Sequence, residues 1–292
     1  MGITDAIINY RRFLKRRNYS KYTVRNYMNT LKHFVLWLDV PIEQVNHQKI
    51  LAFIDYLLSK RLKPKTINCY LDSIRGFYDY LIHEEGIRIT PPVKRGYALR
   101  LSRPLPRYLR DEQVAKLFDV IDDRRDRAMF MLMLRCGLRV EEVAKIAPSA
   151  VDLSRAQLFV HEGKGLKDRV VYLSDDTRKA LVAYLKVRPS SRAKRLFLVS
   201  KGRCKGKPIS VRGIQKRLEL YAKKAGINVS CHQLRHTMAT QLLNADADLV
   251  TIQDLLGHSR IRTTQRYCRV VNLKVQRDYH KAIRHVKQRH VL

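Results

Sequence analysis

Apolar residues return along the first ninety positions with the period of a helix, in separate runs. In NYMNTLKHFVLWLD, Tyr27, Leu31, Phe34, Val35 and Leu38 fall at i, i+4, i+7, i+8 and i+11, which puts them on one face. Ile50, Phe53, Ile54, Leu57 and Leu58 repeat the pattern. Pro64 opens a further run, where its missing N–H is harmless, and Ile67, Leu71, Ile74, Tyr78 and Leu81 form the stripe. Residues 1–90 are expected to form a four-helix bundle.

The periodicity then stops. TPPVKRGYALRLSRPLP holds four prolines and a glycine, so residues 91–106 read as an extended linker between two domains. Beyond it, Asp111 starts a helix through EQVAKLFDVI, and a second apolar run, DRAMFMLMLRCGL, stops at Gly137. A short helix, VEEVAKI, follows. AQLFV and RVVYL, separated by HEGKGLKD, make a two-stranded hairpin, with RLFLVS a candidate third strand. Helices resume at Val211 and continue almost to the end. The expected fold class is mainly α with a small antiparallel β-sheet (α+β), with residues 107–292 as the second domain.

Charge narrows the function. In 292 residues, 59 Lys and Arg against 26 Asp and Glu leave a formal +33. Such a chain repels itself unless an anion is bound, and nucleic acid fits best, because each phosphate neutralised by a cation releases counterions. The outward faces of the bundle carry Arg11, Arg12, Lys15, Arg16, Arg17, Lys21 and Arg25, with Lys60, Arg61, Lys63 and Lys65 around a loop. The five cysteines, Cys69, Cys136, Cys204, Cys231 and Cys268, never fall in a C-x-x-C pair and read as free thiols of a reducing cytosol. Nowhere do eighteen apolar residues run together, so no membrane partner is expected.

The candidate chemistry begins at HQLRHTMATQLL, residues 232–243, where a helix opens on His232 and Arg235, at i and i+3 on one face. That suits a phosphate, since free N–H groups at a helix start also favour anions. His232 and His236, at i and i+4, also have the spacing of zinc ligands. However, Gln233 stands where the H-E-x-x-H pattern has its general base, and no third ligand stands out nearby. No metal is expected. In MLRCGLRVEEVAKI, Arg139 follows a Gly-Leu turn, with Glu142 three residues on to orient it. Lys164 lies between two glycines at the hairpin tip, with Lys167 close by. In DLLGHSRIRTTQRYCRV, His258 follows a glycine and Tyr267 comes nine residues later.

The order Arg, Lys, His-x-x-Arg, His, Tyr resembles the tyrosine site-specific recombinases, the family of phage integrases and Xer resolvases. CGLRVEEV is similar to the family's first-arginine box, GKGLKDR to its lysine hairpin, HQLRHTMATQLL to the second-arginine box and LLGHSRIRTTQRY to the closing histidine–tyrosine segment. The resemblance implies an N-terminal helical core-binding (SAM-like) domain and a C-terminal catalytic domain ending in a tail helix. It also implies roles. Tyr267 would attack the scissile phosphate and His232 accept its proton. Arg139 and Arg235 would hold the non-bridging oxygens, and Lys164, or its rival Lys167, would protonate the 5′-oxygen. His258 would donate a hydrogen bond and Glu142 buttress the site. Because a phosphotyrosyl bond retains the phosphodiester's energy, neither ATP nor a metal or other cofactor is expected. The implied partners are a double-stranded DNA recombination site and three further copies of the chain. They would form a tetramer on two duplexes, with the tail exchanged in trans, and an accessory directionality protein stays open. Thr237-Met238 departs from the family's usual Ser-Phe, at positions without an expected catalytic role. The resemblance implies recombination through a Holliday junction, to integrate or excise a mobile element or to resolve dimers, in the cytoplasm and nucleoid. A non-catalytic DNA-binding protein and a type IB topoisomerase are the rival readings.

Overall fold

A computed structural model of the chain describes residues 2–102 (the Arg95 side chain apart), 106–161 and 168–257, with the single positions 264, 279, 280 and 283. It is mainly helical with one small antiparallel sheet and divides into two compact units, between Arg103 and Pro104.

The first unit contains the four expected helices, α1 (Ile3–Arg16), α2 (Lys21–Trp37), α3 (His47–Ser59) and α4 (Pro64–His83). Local chemistry sets where they start. Ser20 and Asn46 accept from the backbone N–H groups of Thr23 and Lys49, and Pro64 occupies the first turn of α4. The apolar stripes converge on one core, in which Leu31, Ile50, Phe53, Ile67 and Ile74 are fully buried. Of the α2 stripe, Leu31 and Phe34 enter the core, whereas Tyr27 and Leu38 only pack against it. The cations of residues 11–25 and 60–65 are exposed. Part of the proline-rich stretch packs here too. Val93 is buried, Tyr97 and Leu99 lie against the core, and the Asn68 amide bonds both ways with the Leu99 backbone, at 2.8 and 2.9 Å.

The second unit is built around α6 (Arg124–Arg135), in which every residue from Ala128 to Leu134 is buried. A helix apolar on all sides must be surrounded, and α6 packs against α7 (Val140–Lys145), α8 (Asp175–Leu185), α9 (Val211–Lys224) and α10 (Cys231–Asn244). α5 (Asp111–Asp119) precedes it, and α11 (Leu249–Leu256) follows α10. The hairpin forms as β2 (Gln157–Val160) and β3 (Arg169–Tyr172), with Leu158 opposite Val171 and Val160 opposite Arg169. Leu158 and Val171 point into the core while Phe159 and Tyr172 are exposed, the alternation of a half-buried sheet.

Two expectations need correction. The third strand is not RLFLVS but the two-residue β1 (Val151–Asp152), paired with β2. Leu196, Phe197 and Leu198 are buried, yet the segment makes only a single bridge, Leu198 to Pro208. Helices also resume before Val211, because α8 intervenes.

A buried ionic cluster ties this unit together. Asp126, fully buried, accepts from the Arg125 guanidinium, from the Arg217 Nε and from the Tyr221 hydroxyl, which also reaches Asp122. Arg125 extends to the Leu198 carbonyl at 3.1 Å. The network joins α6, α9 and the segment before Pro208.

Candidate active site

Glu142 is the centre of the second ionic cluster. The αL turn at Gly137, with φ +65°, ends α6 and lets the chain re-enter a helix three residues later, at Val140. Arg139 is then the N-cap of α7, and its backbone N–H donates to Glu142 Oε2 at 2.8 Å. The Arg139 side chain returns to the same carboxylate, Nη1 to Oε1 at 2.6 Å. The expected orientation of Arg139 by Glu142 is therefore a backbone and side-chain clamp within one helical turn.

Two further guanidiniums converge on Glu142. Arg169 grips it with both ends of its fork, Nη1 to Oε1 at 3.0 Å and Nη2 to Oε2 at 2.8 Å. Arg235 Nη1 stands 4.0 Å from Oε2. Burial alone would raise the Glu142 carboxyl. The hydrogen bonds and charge of Arg169, and then those of Arg139, override it and hold the group down at about 2. Glu142 is thus ionised at any physiological pH.

The same three arginines cap the C-terminus of α11. The last carbonyls of a helix have no partner within it and carry the negative end of its dipole. Arg169 Nε donates to the Leu255 carbonyl at 2.9 Å, Arg235 Nη2 to that of Leu256, and Arg139 Nη2 to that of Gly257 at 3.4 Å. Arg235 Nη1 also donates to the Gly137 carbonyl. A Cβ at Gly137 would lie 2.9 Å from Leu256 Cδ2, so only glycine lets that turn close against α11. Arg235 is 1% exposed, whereas the Arg139 side chain retains 22%, so Arg139 is the guanidinium with an open edge.

On α10, Gln233 accepts from the Ser230 backbone N–H at 2.8 Å and secures the helix start. His232 and Arg235, expected on one face, differ in depth: His232 is exposed and Arg235 buried. The His232 and His236 rings meet edge to face, 4.1 Å apart. Among the described residues no group of three His, Cys, Asp or Glu is placed to hold a metal ion. Thr237 is fully buried and accepts from the Leu109 N–H at 2.9 Å, tying α10 to the chain ahead of α5. Cys136 and Cys231, next to the site, are pushed up by burial to about 12 and about 11.

The structure therefore brings together Arg139, Glu142 and Arg235, with His232 at the start of the same α10. Lys164, Lys167, His258, Tyr267 and the expected tail helix lie outside the described residues. Sequence reasoning missed Arg169. Its one signal was a cation at the first position of an otherwise apolar strand.

Residues 107–273 match the phage integrase family and residues 7–85 match the phage integrase N-terminal SAM-like domain. The tyrosine recombinase XerA of Thermococcus kodakarensis is 32% identical over 285 residues, 95% of each chain. A lambda integrase dimer bound to a COC′ core site shares the fold with a TM-score of 0.76 at 18% identity, over 91% of this chain and 95% of that one. A lambda integrase tetramer bound to a Holliday junction matches with a TM-score of 0.75 at 18% identity, over 91% of this chain and 77% of that one. A helical bundle followed by a mainly helical unit with a small sheet is thus an architecture shared with a known class of DNA-rearranging enzymes. The chain belongs to the phage integrase family and is a tyrosine-type recombinase, an enzyme that cleaves and rejoins DNA strands.

Proposed function

We propose that the chain exchanges strands between two copies of a double-stranded DNA site through a 3′-phosphotyrosyl intermediate and a Holliday junction. The observation that carries this is the charge count at Glu142. Three guanidiniums surround one carboxylate, leaving a surplus of two positive charges with an open edge at Arg139. A phosphodiester brings one negative charge, and the five-coordinate state reached on attack carries about two, so the seat favours the transition state over the ground state.

In this reading the Tyr267 oxygen forms a bond to phosphorus as the bond to the 5′-oxygen breaks. A tyrosine of pKa about 10 is a weak nucleophile at neutral pH, so His232 takes its proton. Lys164, with Lys167 as the alternative donor on the same hairpin, gives a proton to the departing 5′-oxygen. Arg139 and Arg235 hold the non-bridging oxygens, His258 donates a further hydrogen bond, and Glu142 keeps the arginines in place. The freed 5′-hydroxyl then attacks the phosphotyrosine of the partner strand, forming the new 5′-oxygen–phosphorus bond as the bond to the tyrosine oxygen breaks and the tyrosine regains its proton. The lambda integrase neighbour, a tetramer bound to a Holliday junction, supports four copies acting together; in this reading they hold two duplexes, and the basic tail after Tyr267 passes to the next copy. The match to XerA over 95% of each chain supports recombination by this pair of domains. An accessory protein would bear on direction, not on the chemistry at phosphorus.

The test is covalent trapping. Nicked duplexes made from the DNA flanking the gene are incubated with the protein in EDTA, then denatured. The proposal expects a protein–DNA adduct that disappears in Tyr267→Phe. Salt-sensitive binding without any adduct would favour a non-catalytic DNA-binding role, and relaxation of supercoils without site preference would favour a topoisomerase.

A further inference from the structure

Arg169 occupies a position that none of the expected roles uses. It is the first residue of β3, paired with Val160, where the chain re-enters the sheet from the hairpin turn holding Lys164 and Lys167. Its side chain is 8% exposed. Three of its five N–H donors are already engaged, two on the Glu142 carboxylate and Nε on the Leu255 carbonyl. Its fork is committed to the carboxylate and its Nε to the end of α11. Its effect must pass through what it touches.

What it touches are the segments that deliver the other groups. Glu142 belongs to α7 and clamps Arg139 through both backbone and side chain. Leu255 is in the last turn of α11, three residues before His258. Arg169 itself anchors the strand leaving the lysine hairpin. One planar fork with a third donor at its base meets both oxygens of a carboxylate and a separate carbonyl in fixed directions, whereas a lysine ammonium offers three donors from a single atom and no fork. The backbone allows for it as well. Gly257 adopts the left-handed conformation at φ +60°, and a Cβ there would lie 3.1 Å from Arg169 Cδ and 3.3 Å from its Nη1.

We propose that Arg169 is a positioning residue for strand cleavage, joining β3, α7 and α11 so that Arg139 is held rigid and in register with the segments carrying the lysine and the final histidine. This rests on the reading of Arg139 as a phosphate-holding group. Arg169 adds positive charge beside the phosphate without contacting it, and it prevents the Glu142 carboxylate from rotating away from Arg139. The groups facing that carboxylate are Arg139 on its own helix, Arg169 from β3 and Arg235 from α10.

The test compares wild type with Arg169→Met, Arg169→Lys and Glu142→Gln. Three quantities are read: affinity for the nicked duplex, the single-turnover rate of adduct formation against pH, and the exchange of the Arg139 Nε–H by NMR without DNA. Arg169→Met is expected to bind DNA within about twofold of wild type and to form adduct at least tenfold more slowly. The acid limb of its rate profile should move to higher pH, because Glu142 loses a main partner holding its proton off. The Arg139 signal should exchange faster. Arg169→Lys should recover part of the acid limb, through its charge, but little of the rate. The loss in Arg169→Met should be largely redundant with that in Glu142→Gln when the two are combined. An Arg169→Met protein with wild-type cleavage and an unchanged Arg139 signal overturns the proposal. So does a loss of rate that follows thermal stability and DNA affinity in step, with the pH profile unmoved. If wild type forms no adduct, the phosphotyrosyl reading fails by itself, and the Arg139 signal still decides whether Arg169 positions it.

Discussion

The second unit contains two buried carboxylates ringed by arginines, and they are not alike. Asp126 is 0% exposed and sits between Arg125 and Arg217, with Asp122 reached through Tyr221. Two guanidiniums grip the one buried carboxylate, the second acid is exposed, and the cluster behaves as a joint between α6, α9 and the 198–200 segment. Glu142 is nearly as deep, yet it faces three guanidiniums and the negative end of α11, and one of the three keeps an edge in solvent. The same ingredients join two helices at Asp126, and at Glu142 they gather three guanidiniums at the end of α11, where the phosphate seat is proposed. Burial is therefore a poor guide to what sets the two clusters apart, and the number of guanidiniums on one carboxylate, with a helix C-terminus beside them, is a better one.

The comparison breaks most visibly in stability. Asp126→Asn leaves the buried Arg125 guanidinium and the part-exposed Arg217 facing a neutral amide, and breaking a buried pair such as Arg125–Asp126 costs about 3–5 kcal/mol. Urea unfolding should show that loss, while adduct formation per folded molecule stays near wild type. If Glu142→Gln destabilises more than Asp126→Asn while leaving cleavage intact, the assignment of the two clusters is reversed.

Gly257→Ala sharpens the same contrast on the site side. A non-glycine residue in the left-handed region costs about 1–2 kcal/mol, and here the added Cβ also presses on Arg169. Cleavage should fall about tenfold with DNA affinity unchanged. Gly226→Ala is the control, since its φ of +65° carries a similar backbone cost with nothing within 4 Å of the new atom. Equal activities in the two variants would remove Arg169 from the explanation.

The acid response is smaller. Glu142 lies below its ordinary value of 4.5, at about 2, so its ion pairs contribute stability that is fully present above pH 4.5 and lost as pH falls towards 2. Urea midpoints between pH 5 and pH 3 should decline less steeply in Glu142→Gln than in wild type, and parallel curves would contradict the assignment. Smallest of all is the thiol response. At pH 7 an alkylating reagent should label exposed Cys69 and Cys204 while Cys136 and Cys231 resist, and cleavage should survive the labelling. Rapid labelling of Cys231 with loss of cleavage would mean that the start of α10 opens.

Much of this architecture was legible in the pattern of apolar positions. The α2, α3 and α4 stripes, the all-round apolar run of α6 and the alternation of the hairpin are local signals, and each element forms where its period says. Arg139, Glu142 and Arg235 were legible because two of them lie three residues apart and the third shares a short motif with His232. What was not legible is long-range. Arg169 meets Glu142 and Leu255 across 27 and 86 positions, and Arg217 meets Asp126 across 91, with no periodicity to announce either. The α8 helix was missed because its buried residues Thr177, Ala180, Leu181 and Tyr184 include one polar and one small side chain, a thin stripe beside two leading aspartates. RLFLVS was taken for a strand because a short apolar run is buried either way. Its burial comes from packing in the core around α6, while the sheet edge is taken by Val151 and Asp152.

The surplus charge around Glu142, open at Arg139, is the proposed seat of the scissile phosphate during cleavage. The most direct measurement is the single-turnover rate of adduct formation by Arg139→Ala at saturating nicked duplex, with affinity measured alongside. The account predicts a rate lower by about 10²–10³, the usual cost of removing one preorganised donor to a developing oxyanion, with affinity changed only a few-fold. A wild-type rate at saturation, or a defect entirely in affinity, would contradict it.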